Sequence, residues 1–552
     1  MANRVRAKSL DQGERQVIIY RDDRFFTKNP DIVLLPSGKM LLVFNETDYH
    51  WPTEFSRITL LESMDYGKTW GNPHIIGEAY SSRGEERWLT PRISRLSDGR
   101  LVIICDHDDF RHFHESQPPG IYAWWSEDDG KTWSPSIPTG IPGIEPDRVR
   151  ELKDGTLLVG SCYQSKDTRK IAEFVVHSTD GGKTWGKLSI VASDRVHQFA
   201  EGAILPLRSG RLVCIMRENN HNNYPCYLAF SDDKGVSWSS PKPAPFSGDR
   251  PFAGQLPDGR VLVTYRNKAG TPGLYAWIGN IEEESGYKVS VSVGQPTHVA
   301  PEFVASSEGS TQADLKRLAE GLTLTGESLT VDNERIKGVR YLLLPPENYY
   351  SQVAFSSTLK AEGKPGVFCG RIKIARVGID LLIGPDKLVL NIGYRASTHV
   401  DLVCNVDMTQ WRELVIDYRD GKIEIYIDGK SLIRKMVYQD AILERSYFGS
   451  DSEHEGTLNL RSVSYKVDNP SDDKHSYEWQ AGSGEYPNQY EIDRWFELDY
   501  NHNPNPDGGY SSWLQLPDGR IFVADYTNED APPGKAYLKG YYIRPEELNP
   551  GS

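Results

Sequence analysis

The chain has 552 residues, with 63 Lys plus Arg against 77 Asp plus Glu and a net charge of −14. No stretch approaches the roughly 20 apolar residues needed for a membrane-spanning helix, and a balance this acidic excludes a general nucleic-acid binder, whose affinity comes from Lys and Arg neutralising phosphates. Aromatic residues make up 11%, too many for a disordered chain, and the length allows two to four domains, each with its own core.

The first residues, MANRVRAKSLDQGERQ, are basic but carry no apolar run. They do not read as a secretory signal, so the expected location of the chain as given is cytoplasmic, with a secreted form whose signal has been trimmed left open. Of the six cysteines, the nearest two are Cys214 and Cys226, so Cys-x-x-Cys metal or redox motifs are absent. Cys105, Cys162 and Cys214 lie in apolar, strand-like runs and read as reduced, buried thiols.

In chain order, a strand–tight turn–strand unit recurs: PDIVLLPSGKMLLVF, PRISRLSDGRLVII, DRVRELKDGTLLVG, GAILPLRSGRLVCIM, PFAGQLPDGRVLVTY and SSWLQLPDGRIFVAD. Its turn glycines are Gly38, Gly99, Gly155, Gly210, Gly259 and Gly519, spaced by 61, 56, 55, 49 and finally 260 residues. Each has β-hairpin turn chemistry. A second element follows four of the units: SMDYGKTW, SEDDGKTW, STDGGKTW and SDDKGVSW, beginning at Ser63, Ser126, Ser178 and Ser231. Six such hairpins, each followed by further strands, predict an all-β six-bladed propeller. The long last gap holds strictly alternating stretches (GRIKIARVGIDLLIG, KLVLNIGYRA, WRELVIDYRDGKIEIYIDGKSLI) that predict an inserted β-sandwich, preceded by a short polar helix over STQADLKRLAEG. The expected division is 1–305 for blades 1–5, 306–470 for the insert and 471–552 for the closing blade.

The SxDxGxTW element resembles the Asp-box of the sialidase superfamily. Ser and Asp can cap backbone N–H groups in a tight turn, Gly takes positive φ and Trp packs between sheets. The boxes thus read as structural; DDG within the second lacks the ligand run of a calcium loop. The stretch from Trp411 to Lys430 is similar to laminin-G or concanavalin-like jelly rolls, which suit carbohydrate.

Strand 1 of each blade runs into the turn and strand 2 runs back, so the start of one and the end of the other share a face, opposite the boxes. Six residues before the turn Leu stand Asn29, Thr90, Pro146, Glu201, Arg250 and Tyr510. Seven after the turn Gly stand Asn45, Asp106, Cys162, Arg217, Arg266 and Tyr526. These positions ring the mouth of the central channel, where function on a propeller is usually built, and arginines there suit an anionic ligand.

The resemblance implies roles. FAEGAILPLRSGRLVCIMREN supplies Glu201 and Arg217 in the manner of the sialidase Glu-then-Arg blade, and GGYSSW supplies Tyr510 in a matching Tyr-Ser context. Sialidases use a Tyr nucleophile, which Glu201 would deprotonate. Asp48 in FNETDYHW, with Glu46 as rival, would be the acid/base. Lys28, Arg217, Arg250 and Arg266 would hold a substrate carboxylate, although Lys28-Asn29-Pro30 replaces the family's Arg-Ile-Pro and loses the bidentate fork. His50, His107, His112, His114, His197 and His502 fall in mouth-side loops without metal spacing; no metal and no cofactor is expected.

The leading expectation is a retaining exo-glycosidase acting on a terminal acidic sugar of a glycan. Three others stay open. One is a lyase on uronic-acid polysaccharides, with His107 or His197 and Tyr510 moving the proton. Another is an exo-glycosidase on a neutral sugar such as arabinose, and the last a non-catalytic glycan-binding protein. The partner in each is carbohydrate, with no nucleic acid or membrane; the oligomeric state stays open.

Overall fold

A computed structural model describes residues 8–9 and 15–548, apart from 81–85, 110–119, 220–224, 268–272, 283–300, 304–321, 325–327, 336–337, 344–349, 375–376, 395–397, 437–445, 452, 470–476, 483–494, 502 and 504. The expected helix over 310–321 and the histidines His112, His114 and His502 lie outside the described residues. All six cysteines are free, and Cys105, Cys162 and Cys214 are buried.

The six repeat units form six sheets, antiparallel except for one short parallel pair, Lys8–Ser9 with Trp495–Tyr500. Blade 1 is built from Phe26–Leu34, Met40–Thr47, Phe55–Ser63 and Gly71–Tyr80. The turns work as their sequences predict: Leu35 N–H donates to Lys39 O (2.8 Å), Gly38 N–H donates to Leu35 O (2.9 Å), and Gly38 sits at φ 87°. The same pair of bonds recurs at Leu96, Leu152, Leu207, Leu256 and Leu516. In the first box Ser63 Oγ accepts from Gly67 N–H (2.9 Å), Asp65 accepts from Thr69 N–H (2.9 Å) and Oγ1 (2.7 Å), and Trp70 Nε1 donates to Gly67 O (3.0 Å). The other three repeat the Ser and Asp bonds, which confirms a structural role.

Apolar cores fill the space between neighbouring blades. Met40, Leu42 and Phe44 of blade 1 pack with Phe522, Ala524 and Leu538 of blade 6, while Leu41 and Val43 pack with Ile93, Leu101 and Ile103 of blade 2. Each fully buried aliphatic side chain contributes about 1.5–3 kcal/mol, and strand 2 of every blade supplies several of them. That is why these strands read as near-continuous apolar runs rather than as alternation.

The domain boundaries differ from expectation in two ways. Blade 5 is built from Gly248–Gln255, Val261–Asn267, Gly273–Gly279 and Trp495–Tyr500, with Lys8–Ser9 added at its edge, so the insert enters inside this blade, between its third and fourth strands. Blade 6 joins Ser512–Gln515, Ile521–Thr527 and Tyr537–Ile543 to the N-terminal strand Gln16–Tyr20. The insert itself is a sandwich of a seven-stranded and an eight-stranded sheet, and its strands extend from Pro301–Phe303 to Tyr477–Gly482 rather than 306–470. Its core includes Phe355, Ile372, Leu381, Ile416, Ile425 and Tyr465, the inward half of the alternating pattern.

Candidate active site

The innermost strands carry bulges at their mouth ends. Pairing with strand 2 shifts between Lys28 and Asp31, between Ala200 and Ala203, and between Asp249 and Phe252. Asn29 (φ 55°), Glu201 (φ 51°) and Arg250 (φ 49°) sit in these bulges in the left-handed region, and Glu145 (φ 53°) does so on blade 3. For a residue with a Cβ this conformation costs on the order of 1–3 kcal/mol and persists only where the surroundings hold it. Here the bulges re-aim polar groups between blades. Arg250 N–H donates to Glu201 Oε2 (2.8 Å), Ile93 N–H to Asp31 (2.8 Å) and Ile204 N–H to Asp147 (2.9 Å).

Glu201, Arg217 and Tyr510 come together. Arg217 Nη1 donates to Glu201 Oε1 (2.8 Å) and to the Tyr510 hydroxyl oxygen (3.1 Å), while its Nε stands 2.7 Å from Asp249. Glu201 thus holds a charge-assisted bond on one oxygen and a backbone N–H on the other. The Tyr510 hydroxyl accepts from a guanidinium, which leaves its own proton available to a base. Burial and the nearby Glu201 charge push this phenol well above its ordinary value; Arg217 and Arg266 pull against them. The Arg266 guanidinium lies 4.2 Å over the Tyr510 ring, a cation–π contact that fixes the ring plane.

Backbone chemistry also places Tyr510. Gly509 has φ 87°, and a Cβ there would lie 2.8 Å from Arg266 Cα; only glycine lets the chain pass so close. Asp525 accepts from Gly509 N–H (3.1 Å) and Arg266 Nε donates to Gly508 O.

The other expected cations lie at the same mouth. Arg266 pairs with Asp507 (2.5 Å) and donates to the Tyr526 hydroxyl; Asp507 also meets His50 Nδ1 (2.6 Å). Arg250 donates to the carbonyls of Glu145 (3.4 Å) and Pro146 (3.2 Å). Lys28 is buried, donates to the His50 carbonyl, and is pushed down to about 8 by burial against the pull of Asp507, Asp106 and Glu145.

Four expected residues do not join the cluster. Asp48 accepts from Thr53 N–H (3.0 Å), the Thr53 hydroxyl, Glu54 N–H (2.9 Å) and Tyr49 N–H (3.1 Å). Its carboxylate organises the 48–54 loop, and these bonds hold it below the ordinary range against burial, the wrong direction for a proton donor. The rival Glu46 is buried under Tyr20 (2.8 Å), Arg57 (2.5 Å) and Thr59. His197 is buried, pairs with Asp194 (2.7 Å) and packs against Phe199 and Tyr227. His107 stacks 4.1 Å from Trp88 and 5.1 Å from Tyr122. The contacts of both histidines serve blade packing.

Sequence reasoning missed Glu145, Asp249 and Asp507. Asp249 and Asp507 stand one and three residues before expected positions, which is the signal that was there to read. Glu145 precedes Pro146, the residue expected at the mouth of blade 3. Proline cannot take positive φ, so the left-handed position shifts one residue back. Among the described residues the Glu145 carboxyl has no hydrogen-bond partner. Burial and the Glu201 charge push it well above the ordinary carboxylate range; Arg250 and Arg217 oppose them. Asp106 Oδ2 and Asn29 Oδ1 are likewise buried without a partner. At the turn end of the channel, a cavity of about 540 Å³ lined by Val33, Arg95, Arg148, Arg150 and Leu514 contains none of this cluster. No group of metal-ligating side chains occurs among the described residues.

Comparison with known proteins gives a partial match. Residues 90–271 match the family model described as a BNR repeat-like domain. No curated protein matches the chain. Among solved structures the chain is similar to a protein of unknown function from Dyadobacter fermentans (23% identity, TM-score 0.43, covering 60% of this chain and 93% of that one). It is also similar to the Trypanosoma rangeli sialidase in complex with sialic acid (13%, 0.37, 89% and 97%). A third is the Penicillium chrysogenum alpha-L-arabinanase complexed with arabinobiose (16%, 0.37, 50% and 84%). Three of the four SxDxGxTW boxes fall inside the matched segment, so residues 90–271 are similar to a BNR repeat-like domain, in line with the resemblance that the boxes carry.

Proposed function

We propose that the chain is a retaining exo-glycosidase whose nucleophile is Tyr510 and whose base is Glu201. The observation that carries this reading is the single nitrogen, Arg217 Nη1, that holds both the Glu201 carboxylate (2.8 Å) and the Tyr510 hydroxyl (3.1 Å). A phenol and a carboxylate held on one nitrogen support this reading, since an activated oxygen nucleophile needs a nearby base to take its proton. The buried, unpartnered oxygens of Asp106 and Asn29 suit sugar hydroxyls, since a buried acceptor left without a donor costs about 1–3 kcal/mol. The family match and the fold agree with carbohydrate as substrate.

Two sugar classes remain, and the charge balance favours one of them. A terminal acidic sugar would set its carboxylate among Lys28, Arg217, Arg250 and Arg266. Arg217 and Arg266, however, already pair with Glu201, Asp249 and Asp507. With Asp106 also at the mouth, the four cations meet as many carboxylates of the protein's own, and the balance favours an uncharged terminal sugar. The test offers the protein 4-methylumbelliferyl N-acetylneuraminate, 4-nitrophenyl arabinoside, 4-nitrophenyl glucuronide and a 4-linked oligouronate, with products followed by mass. A gain of one water per cleavage supports a hydrolase, and an unsaturated uronate product would replace it with a lyase. Binding without turnover across a broad glycan panel would leave a lectin.

A further inference from the structure

A glycosidase built on Glu201 and Tyr510 still needs a proton donor, and the bonds around Asp48 exclude it from that role. We propose that Glu145 is the general acid and base of this site, protonating the departing sugar oxygen and later taking a proton from water. The inference rests on the glycosidase reading above.

Arg250 ties Glu145 to Glu201. Its side chain holds the carbonyls of Glu145 and Pro146 (3.4 and 3.2 Å), and its backbone N–H holds Glu201 Oε2 (2.8 Å). One residue of blade 5 therefore ties the backbone of Glu145 on blade 3 to the Glu201 carboxylate on blade 4. The left-handed backbone at Glu145 (φ 53°) is the kind of held conformation that marks working positions. Its carboxyl is half-buried and faces Glu201 and Asp106 on one side of the charge balance and Arg250, Arg217 and Lys28 on the other. Glu201 is held by the Arg217 guanidinium and the Arg250 backbone N–H, whereas burial and the Glu201 charge favour the protonated form of Glu145. A carboxyl raised in this way beside a carboxylate that is already bonded is the pattern of an acid–base pair.

The chemistry balances. In the first step Tyr510 oxygen bonds to the anomeric carbon as its proton passes to Glu201. The glycosidic C–O bond breaks, its electron pair goes to the leaving oxygen, and Glu145 supplies that oxygen's proton. In the second step water oxygen bonds to the anomeric carbon and its proton passes to Glu145. The Tyr510–carbon bond breaks and Glu201 returns the phenol proton.

The test compares 4-nitrophenyl and methyl glycosides of whichever sugar of the panel the wild type turns over. In Glu145→Gln, turnover of the methyl glycoside, which needs protonation, should fall about 10²–10⁴-fold. The 4-nitrophenyl glycoside should fall far less, and added azide should restore its turnover with a glycosyl azide as product. Equal losses on both, or none on either, overturn the role of Glu145. Should Glu145→Gln not fold, Glu145→Asp replaces it, and there too a loss independent of the leaving group overturns the role. A second readout needs no substrate: the infrared difference between wild type and variant at pH 7 should contain a protonated carboxyl band. Its absence overturns the inference by itself. Wild-type inactivity on every sugar with that band present overturns the glycosidase reading instead.

Discussion

Asp249 stands 2.7 Å from Arg217 Nε, on the guanidinium whose Nη1 serves both Glu201 and Tyr510. Asp249 acts through Arg217 as a positioning residue. Asp249→Ala should lower kcat with little change in KM and destabilise the fold by up to about 3 kcal/mol, as losing one partner of a buried pair does. Asp249→Asn, which keeps an acceptor, should recover part of kcat. Steady-state kinetics on the three proteins check this, and a change confined to KM would count against it.

Tyr510→Phe removes one oxygen and keeps the ring under Arg266. Turnover should fall by more than about 10³-fold, while stability shifts by about 0.5–1.5 kcal/mol at most. A fluoro-glycoside of the accepted sugar should label the GGYSSW peptide of the wild type and leave the variant unlabelled. Label on Glu201 would make the carboxylate the nucleophile.

Gly509→Ala should act almost as severely for a different reason. The new methyl would meet Arg266 main chain at 2.8 Å with φ at 87°, costing on the order of 1–3 kcal/mol and displacing Tyr510. Turnover should collapse in a protein whose circular dichroism is unchanged; retained turnover would show that Tyr510 tolerates displacement.

Asp48→Ala should loosen the 48–54 loop by about 1–2 kcal/mol, the scale of lost side-chain to backbone bonds. The shape of the pH–rate profile should stay the same. A lost limb in that profile would return Asp48 to the role of acid.

Lys28 gives a stability signature. The unfolded chain holds this proton to about 10.4 and the folded chain to about 8. Between those values unfolding takes up a proton, so the Lys28 contribution to stability rises with pH, by at most about 3 kcal/mol in all. Below pH 8 both states are protonated and the contribution is flat. Denaturant midpoints measured from pH 7 to 10 should show this rise in the wild type relative to Lys28→Met. Parallel curves would place Lys28 in contact with water.

The turn glycines and the boxes made the blades readable, because each enforces a local geometry that repeats. Fixed spacing from the turn then brought Glu201, Arg217, Arg250, Arg266 and Tyr510 to one mouth. The same spacing failed at blade 3, where Pro146 forbids the bulge conformation and hands it to Glu145. Asp48 looked like a proton donor because its sequence shows a carboxylate but not the backbone N–H groups that consume it. The strand Trp495–Tyr500 carries no box, and Gln16–Tyr20 lies far in sequence from its sheet, so neither announced its partner.

The pairing of Gln16–Tyr20 with Tyr537–Ile543 has a consequence for how the protein is made. Gln16–Tyr20 is translated ahead of blades 1–5 and finds its neighbour only when Tyr537–Ile543 emerges, and blade 5 waits for Trp495–Tyr500 until the sandwich has been translated. The sandwich strands, continuous from 301 to 482, need nothing from either terminus. Domains form as units during synthesis, so the sandwich can be complete while blade 5 still lacks Trp495–Tyr500 and blade 6 is represented by Gln16–Tyr20 alone. For that interval the nascent chain presents open sheet edges, which expose it to unwanted strand pairing before the blades are filled.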